Sequence, residues 1–223
     1  MNRYISEFLG TFFLVFMGTG AVITNTVNPD TVTPLGIGIV FGLIVMVIIY
    51  TIGEYSGAHI NPAVTIAFWC AGRFAARDVF PYILAQCLGA IVASGVLRFL
   101  FGLVGSLGGT APYTDNFEWQ CFVLEVILTC LLMYTVMCVS TGSKEVGTLA
   151  GIAIGGLIAM EAIFAGPICG ASMNPARSLG PALVSGQMSF LWIYLIAPVL
   201  GALLGVFFWK ISRNNPAPIQ ENI

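Results

Sequence analysis

The chain has 223 residues, of which 58% are apolar and only 8% charged, with a net charge of −2 at pH 7. A water-soluble domain carries roughly 25% charged residues, so this is the composition of an integral membrane protein. The charge balance leaves no basic patch for nucleic acid, and a single histidine among dispersed acids gives no support to metal or acid–base chemistry.

In chain order, six segments approach or exceed the ~20 apolar residues that a bilayer crossing needs: 5–24, 35–52, 79–101, 119–139, 146–165 and 189–211. The run after Asn2-Arg3 is too long for a cleaved signal and reads as the first span. Turn chemistry punctuates the chain at Asn28-Pro29-Asp30, Gly108-Gly109-Thr110-Ala111-Pro112 and Thr141-Gly142-Ser143-Lys144. Between the second and third spans, and again between the fifth and sixth, stands Asn-Pro-Ala: Asn61-Pro62-Ala63 and Asn174-Pro175-Ala176. Each is followed by an apolar run, 63–70 and 176–184, too short to cross and suited to a re-entrant segment. The tail 214–223 is polar and contains proline.

Six crossings put Arg3, Arg73, Arg77, Lys144, Lys210 and Arg213 on one side, while Asp30, Asp115 and Glu118 fall on the other; only Arg98, near the far end of the third span, and Arg177, in a re-entrant stretch, break the pattern. The positive-inside rule then sets both termini in the cytoplasm. The six cysteines lack metal-ligand spacing and read as small buried hydrophobes.

The halves repeat. Ser6-Glu7-Phe8-Leu9-Gly10-Thr11 opens the first span, and Leu124-Glu125-Val126-Ile127-Leu128-Thr129 lies in the fourth. Each half reads span, span, re-entrant motif, span, so an odd number of crossings inverts the second copy. The expected division is one channel domain, 1–213, with repeats at about 1–102 and 117–213. Inverted repeats place their functional site at the midplane, where broken helices meet. Glycine and alanine at four-residue spacing (Gly38/Gly42, Ala85/Gly89/Ala93, Gly151/Gly155, Gly201/Gly205) point to closely packed helices.

At each motif the asparagine is a good N-cap and the proline suits the first helical turn. Two half-helices entering from opposite faces would bring two positive N-termini together at the bilayer centre. Cations would be repelled there, and a neutral hydroxylated molecule would find donors. Arg177 has Val64 as its counterpart in the first repeat, so repeat symmetry does not require it. A cation in an apolar protein is expected to be functional, and here it should face the pore and bond solute oxygens. A structural Arg177 bonded to loop carbonyls is the alternative. Glu7 and Glu125 are intramembrane acids that can serve as a proton relay or accept backbone N–H groups from the loops before the half-helices. The second role is preferred. For Glu161, buttressing the lining and reaching the pore both stay open. His59 is expected to shape the cytoplasmic vestibule rather than bind a metal.

At these residues the chain resembles the major intrinsic proteins, the aquaporin and aquaglyceroporin channels. The twin Asn-Pro-Ala motifs, Arg177, Glu7, Glu125 and Gln86 match that pattern, and residues 170–182 look most like the nodulin-26-like branch and its bacterial relatives. The resemblance implies an all-α hourglass fold with two re-entrant half-helices, a homotetramer with one pore per subunit in the cell membrane, and no cofactor. It also implies a second constriction formed by Phe41, Ala162, Ala171 and Arg177. Water-selective members carry histidine at the second of these positions, and glycerol facilitators carry an aspartate where Ser178 follows Arg177. With alanine at 162 and 171 the gap should admit a three-carbon polyol or a trihydroxy acid. The expected function is passive passage of water, glycerol and metalloid hydroxides such as arsenous or boric acid. A water-selective channel and a coupled secondary transporter are the alternatives.

Overall fold

The computed structural model describes residues 2–114 and 117–213, with Glu145 and Val146 described in backbone only. Asp115 and the tail 214–223 lie outside the described residues. In chain order the helices are α1 (Arg3–Val27), α2 (Thr33–Ser56), α3 (Pro62–Cys70), α4 (Ala76–Phe101), α5 (Glu118–Ser140), α6 (Lys144–Thr148), α7 (Ala150–Cys169), α8 (Pro175–Ser185) and α9 (Leu191–Arg213). A tight turn, Val104–Gly108, follows α4.

Six of these, α1, α2, α4, α5, α7 and α9, are long and apolar enough to cross a membrane. The expected spans match them closely except the fifth. That helix starts at Ala150 rather than Val146, because Lys144–Thr148 forms the separate helix α6. Leu149, with φ −93° and ψ 4°, stands at the break. Helices α3 and α8 have 9 and 11 residues. At 1.5 Å per residue they reach about halfway through a ~30 Å hydrocarbon core.

The fold is an inverted repeat. Helix α1 packs on α4 and α2, and α5 packs correspondingly on α9 and α7. Helices α2 and α7 close the two halves against each other. A Cβ on Gly42 would stand 2.4 Å from the carbonyl oxygen of Gly155, and one on Gly155 would stand 2.6 Å from that of Gly42. The two backbones therefore touch directly, as small residues allow in lipid, where close packing rather than water exclusion drives helix association. Phe13, Met17, Leu43, Val47, Leu131 and Phe207 remain on outer faces, where lipid satisfies them.

Both re-entrant loops begin alike. Helix α2 stops at Gly57 and α7 at Gly170, each left-handed, with N–H groups bonded to Gly53 and Gly166. This is the usual glycine stop of a helix. Tyr82 on α4 donates its hydroxyl to Ser56 O at 2.9 Å, and Tyr194 on α9 donates to Cys169 O at 2.8 Å. One tyrosine per half thus pins the last carbonyls of α2 and α7 beside the pore loops.

Candidate functional site

Helices α3 and α8 meet by their N-termini. Asn61 caps α3, its Oδ1 accepting from Ala63 N at 2.9 Å. Asn174 caps α8, accepting from Ala176 N at 3.0 Å and Arg177 N at 3.3 Å. Pro62 and Pro175 occupy the first helical position. The two asparagines also cross-brace the loops. Asn61 Nδ2 donates to Met173 O at 2.8 Å, and Asn174 Nδ2 donates to Ile60 O at 2.8 Å. An amide carries two N–H donors, so each asparagine spends one on the opposite loop and has a second to offer. This brace across the loops was not among the expectations from sequence.

The loops before the caps are bent into left-handed backbone at non-glycine residues. Ala58 and Ile60 have φ of 48° and 43°, and Ala171 and Met173 have 38° and 53°. Such conformations cost of order 1–3 kcal/mol each and persist only where the surroundings enforce them. Glu7 and Glu125 do so. Glu7 accepts from His59 N at 2.9 Å and Ile60 N at 2.6 Å, and Glu125 accepts from Ser172 N at 2.7 Å and Met173 N at 2.8 Å. Gln86 Nε2 reaches both Glu7 Oε2 at 2.7 Å and Thr65 Oγ1 at 3.0 Å. His59 Nδ1 lies 3.2 Å from Thr65 Oγ1, and its ring stacks on Phe68 with centroids 4.8 Å apart.

The second loop repeats this pattern with different chemistry. Ser172, the counterpart of His59, lies 2.6 Å from Ser178 Oγ, and Ser178 accepts from Thr110 Oγ1 at 2.8 Å. Thr110 thus does for Ser178 what Gln86 does for Thr65. Sequence reasoning missed Thr110, because Pro198 occupies the position in α9 that matches Gln86. The only sequence signal was the Gly108-Gly109-Thr110 turn itself.

Two cavities meet at the expected constriction. One, of about 160 Å³, runs along His59, Asn61, Val64 and Asn174. The other, of about 200 Å³, opens beyond, against Val22, Pro34 and Gly109. Phe41, Ala162, Ala171 and Arg177 line both. Arg177 is 4% exposed. Its Nη1 donates to Gly108 O at 2.8 Å, and its Cζ lies 5.0 Å from the centre of the Phe41 ring. The two sequence readings of Arg177 therefore combine: a loop carbonyl fixes the guanidinium, and the same group lines the passage. Gly108, another residue that sequence reasoning did not single out, has φ +67°, and a Cβ there would lie 2.7 Å from Thr19 Cβ. Only glycine brings that carbonyl to the arginine.

Of the intramembrane acids, Glu7 and Glu125 spend both oxygens on the loops. Glu161 lines neither cavity, is 4% exposed, and neither of its oxygens has a hydrogen-bond partner. No carboxylate among the described residues is thus free in the passage to bind a coupling ion. The counterpart of Glu161 in the first repeat is Ile48, a buried apolar residue. An unpaired buried polar group costs about 1–3 kcal/mol, which an apolar group of similar shape recovers. Glu161→Leu is accordingly expected to raise the thermal unfolding midpoint in detergent by several degrees. A lowered midpoint would show that the carboxyl has a stabilising partner.

Six spans, two half-helices meeting end to end and a passage between them define a membrane channel. The chain belongs to the major intrinsic protein family, which residues 1–209 match. It is similar to aquaporin NIP1-1 of Zea mays, at 46% identity over 99% of this chain and 78% of that one. It is equally similar to nodulin-26 of Glycine max, at 46% identity over 99% of this chain and 81% of that one. Among solved structures it superposes on the aquaglyceroporin from Plasmodium falciparum with a TM-score of 0.85 and 27% identity, over 93% and 94% of the two chains. The protein is a multi-pass membrane channel that passes water and small uncharged solutes passively.

Proposed function

We propose that this channel has a wide filter, conducting glycerol and uncharged metalloid hydroxides such as arsenous or boric acid beside water. The observation that carries the reading is the pair of methyl side chains, Ala162 and Ala171, where the two cavities meet beside Arg177 and Phe41. Arg177 supplies the polar side and the Phe41 ring the apolar side, which suits a molecule with hydroxyls on one edge and a carbon or metalloid centre on the other. Protons and cations are refused twice, by the guanidinium and by the facing N-termini of α3 and α8. The similarity to a nodulin-26 and to an aquaglyceroporin supports the same reading.

In this proposal residues 1–213 form one channel domain, built from repeats of about 1–102 and 117–213. The subunit works as one pore of a homotetramer in the cell membrane, with both termini in the cytoplasm and 214–223 as a polar tail there. Asn61, Pro62, Ala63, Asn174, Pro175 and Ala176 form the central barrier. Glu7, Glu125 and Gln86 hold the loops, and His59 shapes the inner vestibule.

Reconstitution into liposomes tests it, with light scattering after a sucrose step and then after a glycerol step. Glycerol uptake well above that of empty vesicles, insensitive to pH, sodium and membrane potential, is expected. Water flux with glycerol uptake no faster than in empty vesicles would leave a water-selective channel.

A further inference from the structure

Away from the pore, one end of the molecule carries a second arrangement of charge. Arg73 follows α3 and Arg213 closes α9, yet both guanidinium groups come to rest on the same indole. The Cζ atoms of Arg73 and Arg213 each lie 5.3 Å from the centre of the Trp209 ring. Local bonds fix both. The α3 terminus winds into a left-handed Gly72, with Arg73 N donating to Phe68 O at 2.9 Å, a closure that sets the direction of the following side chain. Arg213 Nη2 donates to Thr141 O at 2.8 Å.

Neither arginine has a carboxylate partner among the described residues, whose ion pairs are Arg3 with Asp78 and Arg77 with Asp78. Lys210 adds a third exposed cation one residue beyond Trp209. Two cations held on one ring repel each other, and the ring face offsets only part of that. An anion with several oxygens removes the repulsion and uses the planar N–H forks, which match phosphate better than an ammonium does. The place favours one source of phosphate. Tryptophan concentrates at the membrane–water boundary, where Trp209 is buried and Trp69, at the end of α3, is 46% exposed. Basic pockets between helix ends at that level suit lipid headgroups.

We propose that Arg73 and Arg213, set on Trp209, form a binding site for the phosphate of an anionic phospholipid headgroup. The site lies outside the water and solute path and does not depend on which solutes the pore admits.

The test uses the full chain in a mild detergent and native mass spectrometry. Phosphatidylglycerol and phosphatidylcholine with identical acyl chains serve as probes. Retention of phosphatidylglycerol roughly tenfold above phosphatidylcholine is expected, falling about fivefold for each of Arg73→Gln and Arg213→Gln. Arg98→Gln removes one basic charge at the far end of α4, where Arg98 bonds Val184 O, and should leave retention unchanged; an equal fall there would replace the site by diffuse attraction. Unaltered osmotic water flux of the double variant in phosphatidylcholine vesicles shows that it is folded. Displacement of the lipid by inorganic phosphate at tens of millimolar would assign the site to the free ion instead. Binding seen only after the chain is cut back to Arg213 would assign it to the tail, which carries Glu221. Equal retention of the two lipids by the unaltered protein would also overturn the proposal.

Discussion

Ala162→His is expected to reduce glycerol permeation by roughly five- to a hundredfold while costing water less than about threefold. Ala162 stands where the two cavities meet, with Phe41, Ala171 and Arg177 around it. The Phe41 ring is held by the Arg177 guanidinium 5.0 Å away, and Arg177 is tied to Gly108 O. Neither can retreat from an added imidazole. A solute with a carbon backbone then has to pass an overfilled section, and overpacking of this kind costs about 1–3 kcal/mol. Taken as a barrier, that cost gives the stated loss in rate. Water is small enough to pass and gains a ring nitrogen to bond, so its own barrier changes little. Paired light-scattering traces on the same vesicles, after sucrose and glycerol steps, give the ratio directly. Unchanged glycerol flux would place the limiting section elsewhere, at the Asn61–Asn174 pair.

The sequence exposed the pore through local chemistry that happens to occur twice. Asn61-Pro62 and Asn174-Pro175 could be read as helix starts because cap and first-turn preferences depend on neighbouring residues only. The matched acids could be read because a carboxyl inside a span has few uses. The partners that the chain recruits from far away were not legible. Nothing in the order of residues says that Gly108 lends its carbonyl to Arg177, since the contact needs a left-handed turn that only packing on Thr19 explains. Thr110 was hidden for a related reason: the second repeat lacks a glutamine in α9 and recruits a loop hydroxyl instead. The start of α7 was misplaced because apolarity runs continuously from Val146, whereas the backbone breaks between α6 and α7. Repeat symmetry is therefore informative about the elements and less so about the bonds that hold them.

That distinction bears on Glu7→Gln and Glu125→Gln, where the largest loss of stability is expected. Each carboxyl offers an oxygen to each of two consecutive loop N–H groups, at 2.9 and 2.6 Å for Glu7 and 2.7 and 2.8 Å for Glu125. An amide has one acceptor oxygen and would point its own N–H at the second donor. One backbone N–H per loop would then be unsatisfied at membrane depth, where no bulk water replaces the bond. The cost is about 1–3 kcal/mol for the orphaned group, and some of the strain in the left-handed residues beside it is no longer opposed. A fall in the unfolding midpoint on the order of 10 °C follows. Glu7→Gln is expected to be the worse of the two, because Gln86 Nε2 also bonds Glu7 Oε2, whereas the further contact of Glu125 is with the weaker donor Cys169 Sγ at 3.5 Å. Thermal unfolding of both variants in detergent, beside proton leakage in vesicles, separates this role from a proton relay. A relay predicts normal midpoints and abolished pH-dependent flux. A scaffold predicts lowered midpoints, ordered Glu7 before Glu125, with leakage rising only as the loops loosen and the cross-brace between Asn61 and Asn174 is lost.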